Sequence, residues 1–128
     1  MTAPARQILV VDADDTTRNL VVDCLHGAGF DTVASEDGFG GVGRIEAGTY
    51  AAILLDVRET RSRVDPKVPM GFGVLEHLHN HRPEMLGRVI VMTSNAALFI
   101  TSPWYERVGG FVRKPIEEES LLSSVIVI

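Results

Sequence analysis

The sequence predicts an α/β protein with one doubly wound, five-stranded parallel sheet and helices on both faces. Two observations lead to this fold class. Five short apolar runs alternate with segments of helical spacing along the whole chain, an order typical of strands joined by crossover helices. Several of these runs, such as Ile8-Leu9-Val10-Val11, are apolar at every position, which favours strands covered on both faces.

The individual elements follow from local patterns. Strands are predicted at 8–11, 31–34, 51–55, 88–92 and 110–112, and helices at 39–47, 71–81 and 116–127. The first helix begins at a cap formed by Asp14 or Asp15 and ends before Gly29. The polar segment 57–70 contains proline and is interpreted as a long loop. Residues 95–108 stay open between helix and loop, because Pro103 interrupts any helix there.

Composition limits the classes of function. The 128 residues fit one domain, and 45% of them are hydrophobic, enough for a core. No apolar run reaches the ~18–20 residues of a membrane span. Cys24 is the one cysteine, so no internal disulfide forms, which fits the cytoplasm. A net charge of −5 gives no reason to expect nucleic-acid binding. We therefore predict a cytoplasmic domain without membrane or nucleic-acid contacts.

Polar residues at the strand ends carry the functional prediction. Asp12 ends the first strand, Asp56 the third, Thr93 follows the fourth and Lys114 the fifth. In a doubly wound sheet these ends converge on one edge, where ligands bind. Carboxylates bind Mg²⁺, a hydroxyl and an ammonium stabilise phosphoryl oxygens, and an aspartate is a possible phosphoryl acceptor. Because like charges repel, the acids need a cation to hold them together.

Four segments resemble the receiver domain of two-component response regulators: ILVVDADD at 8–15, AAILLDVR at 51–58, VIVMTS at 89–94 and GGFVRKP at 109–115. The resemblance implies a flavodoxin-like receiver fold over residues 1–128, alone or as the N-terminal part of a longer regulator. It implies that Asp56 accepts a phosphoryl group, that Thr93 bonds the phosphate, that Lys114 pairs with it and that Phe111 is the aromatic switch residue. A cis Lys114–Pro115 bond is also implied.

The resemblance further implies a cofactor and partners. Mg²⁺ would be held by Asp12, Asp56 and the backbone carbonyl of Arg58. Asp14 is a further ligand, through water, unless it caps the first helix instead. The phosphoryl donor would be a sensor histidine kinase or phosphotransfer protein, and an output domain or downstream protein would read the change. The domain would be regulatory rather than an enzyme, with at most autophosphorylation from small donors and self-dephosphorylation.

Three departures from the family pattern stand in this sequence. The family usually has two adjacent acids after the first strand, but the second position here is Ala13. The loop after Asp56 is longer than usual, since Gly71 lies fifteen positions beyond the acceptor. The last predicted helix ends in Val125-Ile126-Val127-Ile128, which is β-branched and poorly helical.

Two other functions remain open. The first is a degenerate receiver that binds partners without phosphorylation, which Ala13 and the altered loop favour. The second is a phosphatase of the haloacid-dehalogenase type. Residues 12–16 also match its DxDxT motif, with Asp12 as the nucleophile and Asp14 as the general acid. That function leaves Asp56 without a role.

Several residues carry two interpretations. Phe111 is either a mobile switch or an ordinary core phenylalanine. The cations of the long loop are either solvated or include one arginine that reaches the phosphate, for which a guanidinium is well shaped; they are Arg58, Arg61, Arg63 and Lys67. His77 and His81 share a helical face, where a surface position is favoured over a metal site.

Overall fold

The structure is a computed structural model that describes residues 7–58 and 71–126. Most of the predicted long loop, with Arg61, Arg63 and Lys67, lies outside the described residues, and so does the end of the last predicted helix. Arg58, at the start of that loop, is described.

Five parallel strands form one sheet in the order β2-β1-β3-β4-β5, which confirms the predicted fold class. The chain first adds β2 on one side of β1 and then places β3, β4 and β5 on the other side. The switch in direction therefore lies between β1 and β3. The strands are β1 (Gln7–Val11), β2 (Asp31–Ser35), β3 (Ala52–Val57), β4 (Val89–Thr93) and β5 (Gly110–Arg113).

Strand β3 extends two residues further than predicted, so Asp56 lies inside the strand instead of following it. The pairing with β4 explains the extension, because Asp56 is in register with Met92 and Val57 with Thr93. Thr93 is likewise the last residue of β4. An apolar run in the sequence shows only which part of a strand is buried. Backbone hydrogen bonds to a neighbouring strand can extend the strand over the polar residues that follow.

The helices are α1 (Asp15–Gly27), α2 (Gly38–Ala47), α3 (Phe72–His81), α4 (Ala96–Ile100) and α5 (Glu118–Ile126), with a 3₁₀ helix at Pro83–Arg88. The undecided segment 95–108 forms the short helix α4, capped by the Asn95 side chain, and then turns. Pro103 follows the helix rather than interrupting it. The 3₁₀ helix was not predicted from the sequence.

Two hydrophobic cores lie on opposite faces of the sheet. Alternate residues of β1 divide between them: Leu9 and Val11 belong to one core, and Ile8 and Val10 to the other, as the period of a strand requires. Helices α1 and α5 cover the face of Ile8, and α2, α3 and α4 cover the opposite face. Among the described helices, none is long and apolar enough to cross a membrane.

Gly71 connects the start of α3 to strand β3. Its φ is +93°, in the left-handed region that favours glycine. A Cβ atom at this position would lie 2.3 Å from the backbone oxygen of Asp56, which is too close for any side chain. The glycine therefore allows the helix to begin directly against the strand that carries Asp56.

We predict that Gly71→Ala destabilises the protein by more than ~1–2 kcal/mol, the cost of a left-handed alanine alone, because the contact with the Asp56 carbonyl adds to it. Gly73→Ala is the matched control. It lies in the same helix, and a Cβ there meets nothing within 4 Å, so it should stabilise by ~0.5–1 kcal/mol. Urea unfolding of both variants measures the difference, and equal stabilities would contradict the close approach.

Candidate functional site

Two buried carboxylates lie side by side at the carboxyl ends of β1 and β3. Asp12 directly follows β1 and Asp56 lies in β3, the two strands that flank the switch point of the sheet. Ligands of open α/β sheets bind at this place. Asp12 is 1% exposed and Asp56 is 5% exposed. Charges this deeply buried need partners.

Lys114 pairs with both carboxylates. Its Nζ atom lies 2.8 Å from Asp12 Oδ2 and 2.8 Å from Asp56 Oδ1. The residue follows β5, and its backbone N–H donates to the Thr93 carbonyl at 2.8 Å, which extends the β4–β5 pairing by one position. The Lys114–Pro115 bond is cis, as predicted. The structure thus brings together three residues that are far apart in the sequence.

Arg58 is a second cation between the same two carboxylates. Its Nε donates to Asp56 Oδ2 at 2.5 Å, and its Nη2 donates to Asp12 Oδ1 at 3.1 Å. The sequence indicated only the backbone carbonyl of Arg58 as a site group and left its side chain open between solvent and phosphate. In the structure the guanidinium bridges Asp12 and Asp56, with one third of the side chain exposed.

The acids that follow Asp12 are engaged elsewhere. The Asp14 carboxylate caps α1, accepting from the Thr17 backbone N–H at 3.1 Å and from its hydroxyl at 2.5 Å. These hydrogen bonds with Thr17 lower the pKa of Asp14 below its ordinary value. Asp15 pairs with Arg18, which also donates to the Asp12 carbonyl at 2.8 Å. Of the two uses that the sequence allowed for Asp14, the structure has the helix cap.

Thr93 ends β4 next to this cluster of charges, since its carbonyl accepts from the Lys114 backbone N–H, and Phe111 lies in β5. Thr93 is 2% exposed, and its hydroxyl accepts from the Asn95 backbone N–H at 3.0 Å. Phe111 is half-buried, with its ring centroid 5.7 Å from that of Phe99 and 5.9 Å from that of Tyr105. The aromatic packing fits both interpretations of Phe111, as a core residue and as a switch.

Burial dominates the electrostatics of Asp56. Desolvation raises its pKa above the ordinary value, and the neighbouring charge of Asp12 raises it further, while Lys114 and Arg58 act in the opposite direction. For Arg58, burial works to lower the pKa, but hydrogen bonding and attraction to Asp56 and Asp12 raise it above its usual value. The guanidinium is therefore a permanent charge.

The described residues do not fit a divalent metal ion in this arrangement. Position 13 offers no ligand, Asp14 is committed to Thr17, and Asp12 and Asp56 each bind two cationic groups. Within residues 7–58 and 71–126, no three acidic, histidine or cysteine side chains are grouped so as to hold a metal. Mg²⁺ requires nearly octahedral oxygen ligands, so it would have to displace Arg58 first.

No protein-family model and no curated protein sequence matches this chain. Solved structures do. A CheY-like response regulator receiver domain protein from Methanospirillum hungatei superposes with a TM-score of 0.77 at 22% identity, covering 97% of this chain and 93% of that one. TrrA from Thermotoga maritima, a response regulator solved in complex with Mg(2+)-BeF, gives 0.77 at 20% identity, covering 94% and 96%.

The chain has the receiver fold. A third structure, NtrX from Brucella abortus, agrees, with a TM-score of 0.78 at 23% identity over 94% of this chain. This chain spans only 26% of that NtrX chain. The receiver fold accounts for the positions of Asp12, Asp56, Thr93 and Lys114 at the strand ends.

One feature of the site was not predicted from the sequence. Sequence reasoning missed the bridging role of the Arg58 side chain, and its signal was the coincidence of Ala13 with an arginine two residues after the acceptor. The histidine pair lies on the surface as predicted: His77 Nε2 is 2.7 Å from Glu46 Oε1, and its ring lies 4.6 Å from that of His81.

The pKa of Asp56 gives a test of this geometry. Asp12→Asn should lower it, because the variant removes a repelling charge, and Lys114→Met should raise it, because the variant removes an attracting one. Titration of the Asp56 carboxyl carbon by NMR measures both shifts, with Asp15→Asn as the control that leaves it unchanged. Shifts of the opposite sign would contradict the ion pairs described above.

Proposed function

We propose that this chain is a phosphoacceptor switch in which Asp56 accepts a phosphoryl group from a phosphohistidine. The donor would be a sensor histidine kinase or phosphotransfer protein, and an output domain or downstream protein would read the phosphorylated state. The observation that carries the proposal is the carboxylate of Asp56, buried at the switch point of a receiver fold and flanked by two cations.

The chemistry at Asp56 is a direct displacement. A carboxylate oxygen attacks the phosphorus atom, an O–P bond forms, and the P–N bond of the phosphohistidine breaks. The imidazole leaves with the electron pair of that bond. With acetyl phosphate as the donor, acetate leaves in the same way. No proton moves on Asp56, because it reacts as the carboxylate.

The site supplies charge stabilisation for this step. Asp56 Oδ1 forms an ion pair with Lys114, yet among the described residues it accepts no hydrogen bond of good geometry, which favours this oxygen as the attacking atom. Charge on the transferring phosphoryl group spreads over its outer oxygens, where Lys114 and Arg58 stabilise it. Thr93 would donate its hydroxyl hydrogen to one of these oxygens, since the hydroxyl is an acceptor in its hydrogen bond with Asn95.

The degenerate receiver is the second candidate, and the closed ion network favours it. Both carboxylates already have cationic partners, so the site is electrically balanced without a phosphoryl group. The phosphatase hypothesis has less support, because its general acid, Asp14, is held by Thr17 at the start of α1. Turnover of p-nitrophenyl phosphate would establish it nevertheless.

Incubation with acetyl phosphate, followed by intact-mass measurement, tests the proposal. We predict that the parent gains the mass of one phosphoryl group and that Asp56→Asn gains none. Asp15→Asn is the control, since it removes an exposed acid near the site and should keep the parent's mass gain. Because the pKa of Asp56 is raised, the parent's rate should fall on acidification at a higher pH than an ordinary aspartate would give.

An unchanged mass gain in Asp56→Asn would remove Asp56 from the mechanism. If the parent gains no mass with acetyl phosphate and none with a phosphorylated histidine kinase, the proposal of a phosphoacceptor fails. The degenerate receiver is then the function that the site supports.

A further inference from the structure

Four charged groups form a closed ring at the carboxyl edge of the sheet. Asp12 uses Oδ2 for Lys114 and Oδ1 for Arg58, and Asp56 uses Oδ1 for Lys114 and Oδ2 for Arg58. Each of the four carboxylate oxygens thus contacts a cation. Two negative and two positive charges balance, so the ring is electrically neutral.

The balance depends on Arg58. Without its guanidinium, Lys114 alone would face two buried carboxylates, and one negative charge would stay uncompensated. Buried like charges are costly, so such a site would require another cation. The guanidinium lies between the two carboxylates, and a divalent ion that used Asp12 and Asp56 as ligands would need the same space and the same oxygens.

We propose that Arg58 is the resident cation of this site and takes the place of a divalent metal. This inference rests on the proposed function where it concerns phosphorylation: Asp56 accepts a phosphoryl group without Mg²⁺, and Arg58 then binds the phosphoryl oxygens. Where it concerns the resting protein, it stands on the ion ring alone: Arg58 competes with Mg²⁺ for Asp12 and Asp56.

The chemistry of arginine suits both roles. Its guanidinium is planar, stays charged and presents five N–H donors in a fork that matches carboxylates and phosphates. Two of these donors bind Asp56 and Asp12, and the other three are not committed to either carboxylate. When Asp56 reacts, negative charge moves outward from the carboxylate to the phosphoryl group. The partly exposed side chain of Arg58 is long enough to follow it.

Two assays on the same variants test the inference. Calorimetry with Mg²⁺ alone measures metal affinity, and intact mass after acetyl phosphate treatment, in EDTA or in Mg²⁺, measures phosphorylation. Arg58→Met removes the charge and keeps the length of the side chain. Arg107→Met is the matched control, because Arg107 is exposed and packs over the Trp104 ring, 5.4 Å from its centroid and away from the carboxylates.

We expect Arg58→Met to bind Mg²⁺ at least ~10-fold more tightly than the parent, because residues next to metal ligands typically change metal affinity by ~10–100-fold. Arg107→Met should bind Mg²⁺ with the affinity of the parent. The parent should be phosphorylated at similar rates in EDTA and in Mg²⁺. Arg58→Met should react slowly in EDTA and recover with Mg²⁺. Ala13→Asp, which adds a third acid beside the ring and so leaves excess negative charge, should also bind Mg²⁺ more tightly than the parent.

A parent that is phosphorylated only in Mg²⁺ overturns the inference, whether or not the variants fold. Equal Mg²⁺ affinity in the parent and a folded Arg58→Met also overturns it. If no phosphorylation occurs under either condition, the proposed function fails, and calorimetry still decides the question for the resting protein: tighter Mg²⁺ binding by Arg58→Met supports Arg58 as the resident cation.

Discussion

The need to neutralise two buried carboxylates governs the arrangement of this protein. Asp12 and Asp56 are both at most 5% exposed, and ionised side chains at such depth are stable only with good partners. Lys114 and Arg58 provide them. Removing one partner from a buried pair typically costs ~3–5 kcal/mol, so the site and the stability of the fold depend on the same contacts.

The fold positions each member of the ring by backbone geometry. Pairing of β1 with β3 places the two acids side by side, and the register of β4 with β5 brings Lys114 to the same edge. Gly71 lets α3 begin against the Asp56 carbonyl, where no side chain fits. Two hydrophobic cores pack against the sheet, one on each face.

Arg58 distinguishes this site from one built around a metal. An ion of double charge brings acids together but exchanges with solvent, whereas a guanidinium is covalently attached and always present. The presence of Arg58 explains why position 13 is an alanine and not an acid, because a third acid would leave the ring with excess negative charge. Asp14 is then available to cap α1 through Thr17. The sequence departure and the added cation are thus two aspects of one charge balance.

The sequence by itself determined the elements and the positions of most site residues. The apolar runs predicted buried strands, and each run is followed by a polar residue: Asp12, Asp56, Thr93 or Lys114. Because parallel strands have their carboxyl ends at the same edge of the sheet, these polar residues were predicted to converge there. Boundaries were less accurate: β3 continues through Asp56, since pairing with β4 is not encoded in the β3 segment alone.

Only the tertiary structure decided which partner each side chain has. A long arginine side chain has many conformations, and its choice between solvent, phosphate and the two carboxylates depends on the neighbouring Asp56 and on charges from two distant segments, at Asp12 and Lys114. The same holds for Asp14, which had the helix cap and the metal site within reach, and for Phe111, whose neighbours Phe99 and Tyr105 come from the segment that Pro103 left undecided. Local sequence patterns determine where helices and strands form. The positions of long polar side chains depend on the charges that folding brings together around them.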